Sequence, residues 1–187
     1  MAAPLHDKTI RSFNGPRQSD FPFQDSTLKS DDEHGATAAL RWIAALLKDL
    51  DCPYVICGGL AAAGFGATRP IHDIDLFVPG HRFQDVVQAA RDFISKPATH
   101  YRHEHWDLDY VQFIYQGTKI EVGNADGAKI LNAQKHEWVA LDIDFRDPDI
   151  VTVLGVSVPL MHRDALIAYK RLLDRVVDRE DIQAISP

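Results

Sequence analysis

The chain has 187 residues, 45% hydrophobic and 25% charged, with a formal net charge of -7. That is about one domain's worth of chain with apolar material enough for a core, and the acidic balance excludes a whole-molecule electrostatic footprint for nucleic acid. Cys52 and Cys57, spaced as CPYVIC, form neither a C-x-x-C pair nor a disulfide framework and read as small thiols of a protein kept in a reducing compartment, the cytoplasm. No stretch approaches the roughly 20 apolar residues of a membrane span, and the N-terminus lacks the apolar segment of a signal peptide.

In chain order, residues 1–32 read as a loose arm, with Pro4, Gly15, Pro16 and Pro22 among polar residues and Phe13, Phe21 and Phe23 as anchors. The single domain then runs over residues 33–187. Leu40, Ile43, Ala44 and Leu47 recur at helical spacing and predict an amphipathic helix over residues 35–50. PYVIC is a short strand ended by Gly58-Gly59, LAAAGF a short helix, and DIDLFV an alternating strand. RFQDVVQAARDFI reads as a helix, and LDYVQFIYQGTKIEV as two strands joined at Gln116-Gly117. HEWVALDIDF and DIVTVLGVSVPL are further strand candidates, the second turning at Gly155, and RDALIAYKRLLDRVVDREDIQAI is helical. The sum is an α/β (α+β) domain with a mixed β-sheet, flanking helices and a helical C-terminus.

Asp73 and Asp75 interrupt an otherwise apolar strand. Side chains two apart on a strand project together, and two carboxylates so placed repel unless positive charge sits between them. The plain alternative is a solvated strand end. The chemical one is a divalent cation, and paired carboxylate oxygens suit Mg2+ or Mn2+. Gly58 and Gly59 sharpen the choice, because a glycine turn entering a helix lets backbone N–H groups approach a phosphate. A glycine turn beside a metal-binding pair is the apparatus for nucleotidyl transfer from a nucleoside triphosphate.

The segment GGLAAAGFGATRPIHDIDLFV resembles the signature of the DNA polymerase beta-like nucleotidyltransferase superfamily: apolar strand, Gly-Gly or Gly-Ser, short helix, then Asp-x-Asp on the next strand. It is most similar to the small prokaryotic branch of antibiotic and toxin–antitoxin nucleotidyltransferases. The resemblance implies an Arg ahead of the first Asp, matched by Arg69, and a C-terminal helical tail whose Lys and spaced Asp and Arg line the nucleotide cleft, matched by LIAYKRLLDRVVDREDI. The pattern departs at Gly59, where many members carry Ser, and at Ile71-His72, where many carry Ser or Thr.

The resemblance also implies a third acidic residue on a later strand. Glu121, between the core-type residues Ile120 and Val122, points to the opposite face from them and is the preferred candidate. Asp109, Asp126 and the pair Asp142 and Asp144 of LDIDF are weaker ones, the last read as a solvated strand edge. His100, His103 and His105 read as part of a polar loop rather than a zinc site, which with Arg102 could touch an acceptor. Lys170, Asp174 and Asp178 share one helix face and Arg171 and Arg175 an adjacent one. They form either an exposed ion-pair ladder or, following the resemblance, a site in which Lys170 meets the triphosphate and Asp178 or Asp181 braces Arg69 or Lys170.

The expected function is a metal-dependent nucleotidyltransferase. Asp73, Asp75 and Glu121 would hold Mg2+ or Mn2+ and carry catalysis, and Gly58, Gly59, Arg69 and Lys170 would bind the nucleoside triphosphate. The acceptor is left open among a small molecule, a protein side chain and an RNA end. The alternative is a catalytically weak binding protein of the same fold, such as the antitoxin half of a toxin–antitoxin pair, and a homodimer or a toxin partner is compatible with either.

Overall fold

The computed structural model describes residues 26–187, with side chains described from His34 onward. The expected arm, with Phe13, Phe21 and Phe23, lies outside the described residues as far as residue 25. Helix α1 (Ser26–Asp49) starts earlier than the periodicity predicts. Its Leu40, Ile43 and Leu47 are wholly buried, the helical spacing that placed it. Beyond its C-terminus the Arg82 guanidinium donates to the carbonyl oxygens of Leu50 and Asp51, satisfying acceptors that a helix end leaves open.

There follow β1 (Val55–Ile56), α2 (Gly58–Gly64), β2 (Asp73–Val78), α3 (Gly80–Ala89), a 3-10 turn (Arg91–Phe93), β3 (Ile94–His103), β4 (Trp106–Tyr115), β5 (Thr118–Asn124), β6 (Lys129–Asn132), β7 (Glu137–Ala140), β8 (Asp149–Val153), β9 (Val156–Leu160), α4 (Arg163–Leu173) and α5 (Val176–Ile185). The described strands make one mixed nine-stranded sheet in the order β7-β6-β4-β5-β2-β1-β9-β8, with β3 on the free side of β4. β2 and β5 are parallel neighbours, while β4 runs antiparallel to β5. Ile74, Leu76, Ile120, Val122, Val111 and Phe113 line the core face of these three strands.

Besides the earlier start of α1, which takes residues 26–32 out of the expected arm, four details differ from the sequence reading. Residues 94–103, read as the end of a helix and a polar loop, form the edge strand β3 on β4. Most of its side chains are exposed, so no apolar alternation announces it, and Pro97 is tolerable because the strand is an edge. The short strand β6 was not expected. LDIDF is not a strand edge; only residues 137–140 of that segment pair, as β7. The C-terminal helical run is broken at Asp174, which takes a left-handed conformation with φ of 49° and turns α5 back toward α2.

Ile120 sits wholly buried on β5 between β2 and β4. Ile120→Ala should lower the unfolding free energy by about 2–5 kcal/mol. Urea unfolding followed by circular dichroism measures it, and a loss below about 1 kcal/mol would contradict the close packing of this position.

Candidate active site

The parallel register of β2 and β5 sets Asp73 opposite Lys119 and Asp75 opposite Glu121. Ile74, Leu76, Ile120 and Val122 take the buried positions between them, so alternation sends all four polar side chains to the other face. There they line a cleft of about 420 Å³, together with Gly58, Gly59, Arg69 and Lys170. The structure thus brings all seven expected site residues to one cavity.

Lys119 stands among the acids, its Nζ 2.8 Å from Asp73 Oδ2 and 3.6 Å from Glu121 Oε1. Glu121 Oε1 also accepts a 2.8 Å hydrogen bond from Gln112 Nε2. Gln112 is buried, and Ser95 Oγ donates to its Oε1 at 2.9 Å. That chain fixes the Glu121 carboxylate in place. Asp75 is the most perturbed acid. Burial, then the charges of Asp73 and Glu121, push its carboxyl up to about 7, against an opposing pull from Lys119 and Arg175. These two negative neighbours work as the like-charge rule predicts.

The phosphate side is built by the turn after β1. Cys57 N–H donates to Asp75 O at 2.9 Å, which sets the start of α2 beside Asp75. Gly58 has φ of 64°, and a Cβ there would collide with the Asp75 carboxylate, so neither conformation nor space admits a side chain. At Gly59 a Cβ would lie 2.5 Å from Arg69 Nη2. The Gly-Gly departure from Gly-Ser therefore has a packing reason: the guanidinium occupies the space.

Arg69 is held from the far end of the chain. Its Nε and Nη2 donate to the two Asp181 oxygens at 2.8 and 3.0 Å. Lys170 Nζ donates to Asp181 Oδ2 at 2.8 Å and to Asp178 Oδ1 at 3.4 Å, and Arg175 makes a two-point contact to Asp178. Lys170, Asp178 and Asp181 are each no more than 1% exposed. An exposed ladder is thereby overturned. Asp174 leaves the shared face because the helix breaks there, and it pairs with Arg179 instead. Asp181 braces both Arg69 and Lys170, and the Lys170 ammonium is turned toward the two aspartates.

The other acids lie elsewhere. Asp109 pairs with His100 at 2.9 Å, on the face of β4 opposite Tyr110 and Gln112. The Asp126 carboxylate lies against Gly80 at the start of α3, and Asp144 is engaged by Arg146. Asp142 is not among the cleft residues. His100 lies on β3, its ring between Asp107 and Asp109. Sequence reasoning missed Lys119 and Gln112, and it named Arg175 only as part of the helical tail. Lys119 and Gln112 carried a signal, since each shares strand parity with a residue of the site.

Among the described residues, no three His, Cys, Asp or Glu side chains close up as a metal site, with Lys119 between two of the acids. The donor chemistry nevertheless fits a hard divalent cation. Asp73, Asp75 and Glu121 offer only carboxylate oxygens, an ammonium already sits against two of them, and the charges of Asp73 and Glu121 add to burial in raising the Asp75 carboxyl.

A family model described as aminoglycoside-2''-adenylyltransferase matches residues 39–184, which spans β1 through α5 and every residue of this cleft. The chain belongs to the aminoglycoside-2''-adenylyltransferase family. This places it in the small prokaryotic antibiotic-type branch of the nucleotidyltransferases, and makes it a nucleotidyltransferase by family. Among solved structures, the chain is similar to a candidate nucleotidyltransferase from Thermotoga maritima, at 22% identity and a TM-score of 0.57, over 78% of this chain and 89% of that one. It is also similar to ANT(2'')-Ia in complex with adenylyl-2''-tobramycin, at 16% identity and a TM-score of 0.56, over 80% and 87% of the two chains. A third is the lincomycin-bound lincosamide adenylyltransferase LnuA, at 14% identity and a TM-score of 0.50, over 78% and 93%. At these identities the likeness establishes the nucleotidyltransferase fold. No curated protein matches the chain.

The Asp75 carboxyl titrates near 7 in the folded chain against an ordinary value of 3.8. The folded state therefore binds a proton that the unfolded chain has released between these values. The stability this gives is complete below about pH 3.8 and is lost as pH rises through 7. In metal-free buffer, Asp75→Asn should raise the melting temperature at pH 8 by about 3–8 °C and change it little at pH 4. Calorimetric melting at the two pH values tests this; an equal change at both would contradict the raised Asp75 carboxyl.

Proposed function

We propose that this nucleotidyltransferase moves adenylate from ATP to an acceptor hydroxyl, with a divalent cation, Mg2+ or Mn2+, held by Asp73, Asp75 and Glu121. One observation carries the reading: Asp75 and Glu121 are direct cross-strand partners in a cleft whose Gly58-Gly59 turn starts beside Asp75. The choice of ATP follows the adenylyl in the family description.

In this reading the backbone N–H groups at Gly58 and Gly59 hold phosphate oxygens, as the opening turn of a helix does. Arg69 lies against Gly59 and reaches the same phosphates, held there by Asp181. Arg175 and Lys170 add positive charge on that side, the second from beneath. When bound, the cation neutralises charge on the triphosphate and on the departing pyrophosphate. Glu121, oriented by Gln112, accepts the proton of the acceptor hydroxyl. The alternative of a catalytically weak binding protein of the same fold rests on Gly59 and Ile71, and Gly59 has the packing reason given above.

Asp73→Asn combined with Asp75→Asn should abolish metal-dependent binding of a nonhydrolysable ATP analogue while the chain stays folded. Glu121→Gln should lower the transfer rate by about 100-fold or more, with analogue affinity only modestly reduced, because a base acts on the transition state. Calorimetric binding and pyrophosphate release measure the two. Unchanged analogue binding in the double variant, or unchanged turnover in Glu121→Gln, would sink the assignment.

A further inference from the structure

On the cleft face of β2 and β5, Asp73 stands opposite Lys119 and Asp75 opposite Glu121. Three of these four side chains are acids and the fourth is a cation. The core side of β5 is held by Ile120 and Val122, both wholly buried, and Lys119 points away from that packing. Its Nζ reaches two of the acids instead, 2.8 Å from Asp73 Oδ2 and 3.6 Å from Glu121 Oε1. One ammonium thus joins a carboxylate of β2 to a carboxylate of β5. A divalent ion held by the same acids has to make the same bridge.

Two cations cannot share that bridge. Mg2+ binds carboxylate oxygens at about 2.0–2.1 Å, and like charges brought so close in a partly enclosed cleft repel strongly. A divalent ion entering alone must therefore displace an ammonium that already holds its ligands. An ion entering with a triphosphate is placed differently. Phosphate oxygens complete its coordination, and their negative charge faces the ammonium as it gives way. Lys119 is built to give way: its side chain is 39% exposed, on a flexible four-carbon stem, while Ile120 pins the backbone beneath it.

We propose that Lys119 is the resident counter-cation of this site. It holds Asp73 and Glu121 in place before loading and keeps a bare divalent ion out, so that ion and nucleoside triphosphate enter together. The proposal rests on the nucleotidyl-transfer reading and gives Lys119 a positioning role. Without a counter-charge the acids would repel one another or capture an ion with no nucleotide attached. Lys119 keeps its proton throughout, and only its partner changes.

The test is the Mn2+ affinity of the full chain, read by electron paramagnetic resonance with and without a nonhydrolysable ATP analogue. In the unaltered chain Mn2+ alone should bind weakly, and the analogue should tighten it by at least about tenfold. No complex of protein, Mn2+ and analogue would overturn the nucleotidyl-transfer reading, and this proposal with it. Mn2+ bound as tightly without the analogue as with it would overturn this proposal. Lys119→Met keeps the stem and removes the charge. It should bind Mn2+ alone at least about tenfold more tightly than the unaltered chain, and the analogue should add correspondingly less. Lys119→Arg keeps the charge and should stay weak without the analogue; tight binding there too would overturn the proposal. Mn2+ binding in Lys119→Met no tighter than in the unaltered chain would overturn it while leaving the transfer reading standing. A lowered melting temperature would then mark Lys119 as a structural ion pair, and a lowered analogue affinity would mark it as a phosphate ligand. Lys119→Gln, also uncharged, carries the same expectation and takes the place of Lys119→Met should that variant not fold.

Discussion

Carboxylates on adjacent strands that face one cleft cannot all be charged without a cation among them. Asp73, Asp75 and Glu121 meet that constraint through Lys119 on one side and a carboxyl held near neutrality on the other. Nothing about folding requires three acids here. The core is made by the opposite face of the same strands, where Ile74, Ile120 and Val122 are wholly buried. The face that carries the acids lines the cleft instead.

The positive half is organised differently. Arg69, Lys170 and Arg175 share two buried carboxylates, Asp178 and Asp181, so each cation is held by an acid behind it. Charge-assisted, two-point contacts of this kind fix an Arg far more firmly than water does. The network joins the loop before β2 to the last helix, residues 112 apart in sequence. It explains why α5 folds back after the left-handed turn at Asp174 and why the C-terminal helices cover α2 rather than extend away. Removing one acid from such a cluster would leave buried cations without a partner, at a cost larger than the lost contact.

The acidic half was legible in the sequence because strand parity decides it. Asp73 and Asp75 share a face by being two apart, and Ile120 and Val122 turn Glu121 away from the core. The same parity points to Lys119, two residues before Glu121, and to Gln112 as a neighbour of Glu121 once the hairpin at Gln116-Gly117 is drawn. The helix break at Asp174 could not be read: no glycine or proline marks it, and the apolar pattern of α4 runs on into α5. Lys170 and Asp178 looked like neighbours on one helix face, whereas they meet across a turn between two helices. β3 was invisible for another reason, since an edge strand with solvated side chains owes its existence to β4 and not to its own pattern. LDIDF shows the converse, a strand-like alternation with no partner in the sheet.

The central claim is that the acids of β2 and β5 are a cation site made complete by the nucleotide. Electron paramagnetic resonance of Mn2+ added to the full chain tests it directly, with and without a nonhydrolysable ATP analogue. The account predicts weak Mn2+ binding to the protein alone, marked tightening with the analogue, and loss of that tightening in Asp73→Asn. Mn2+ binding that ignores the analogue, or a ternary complex that survives intact in Asp73→Asn, would contradict it.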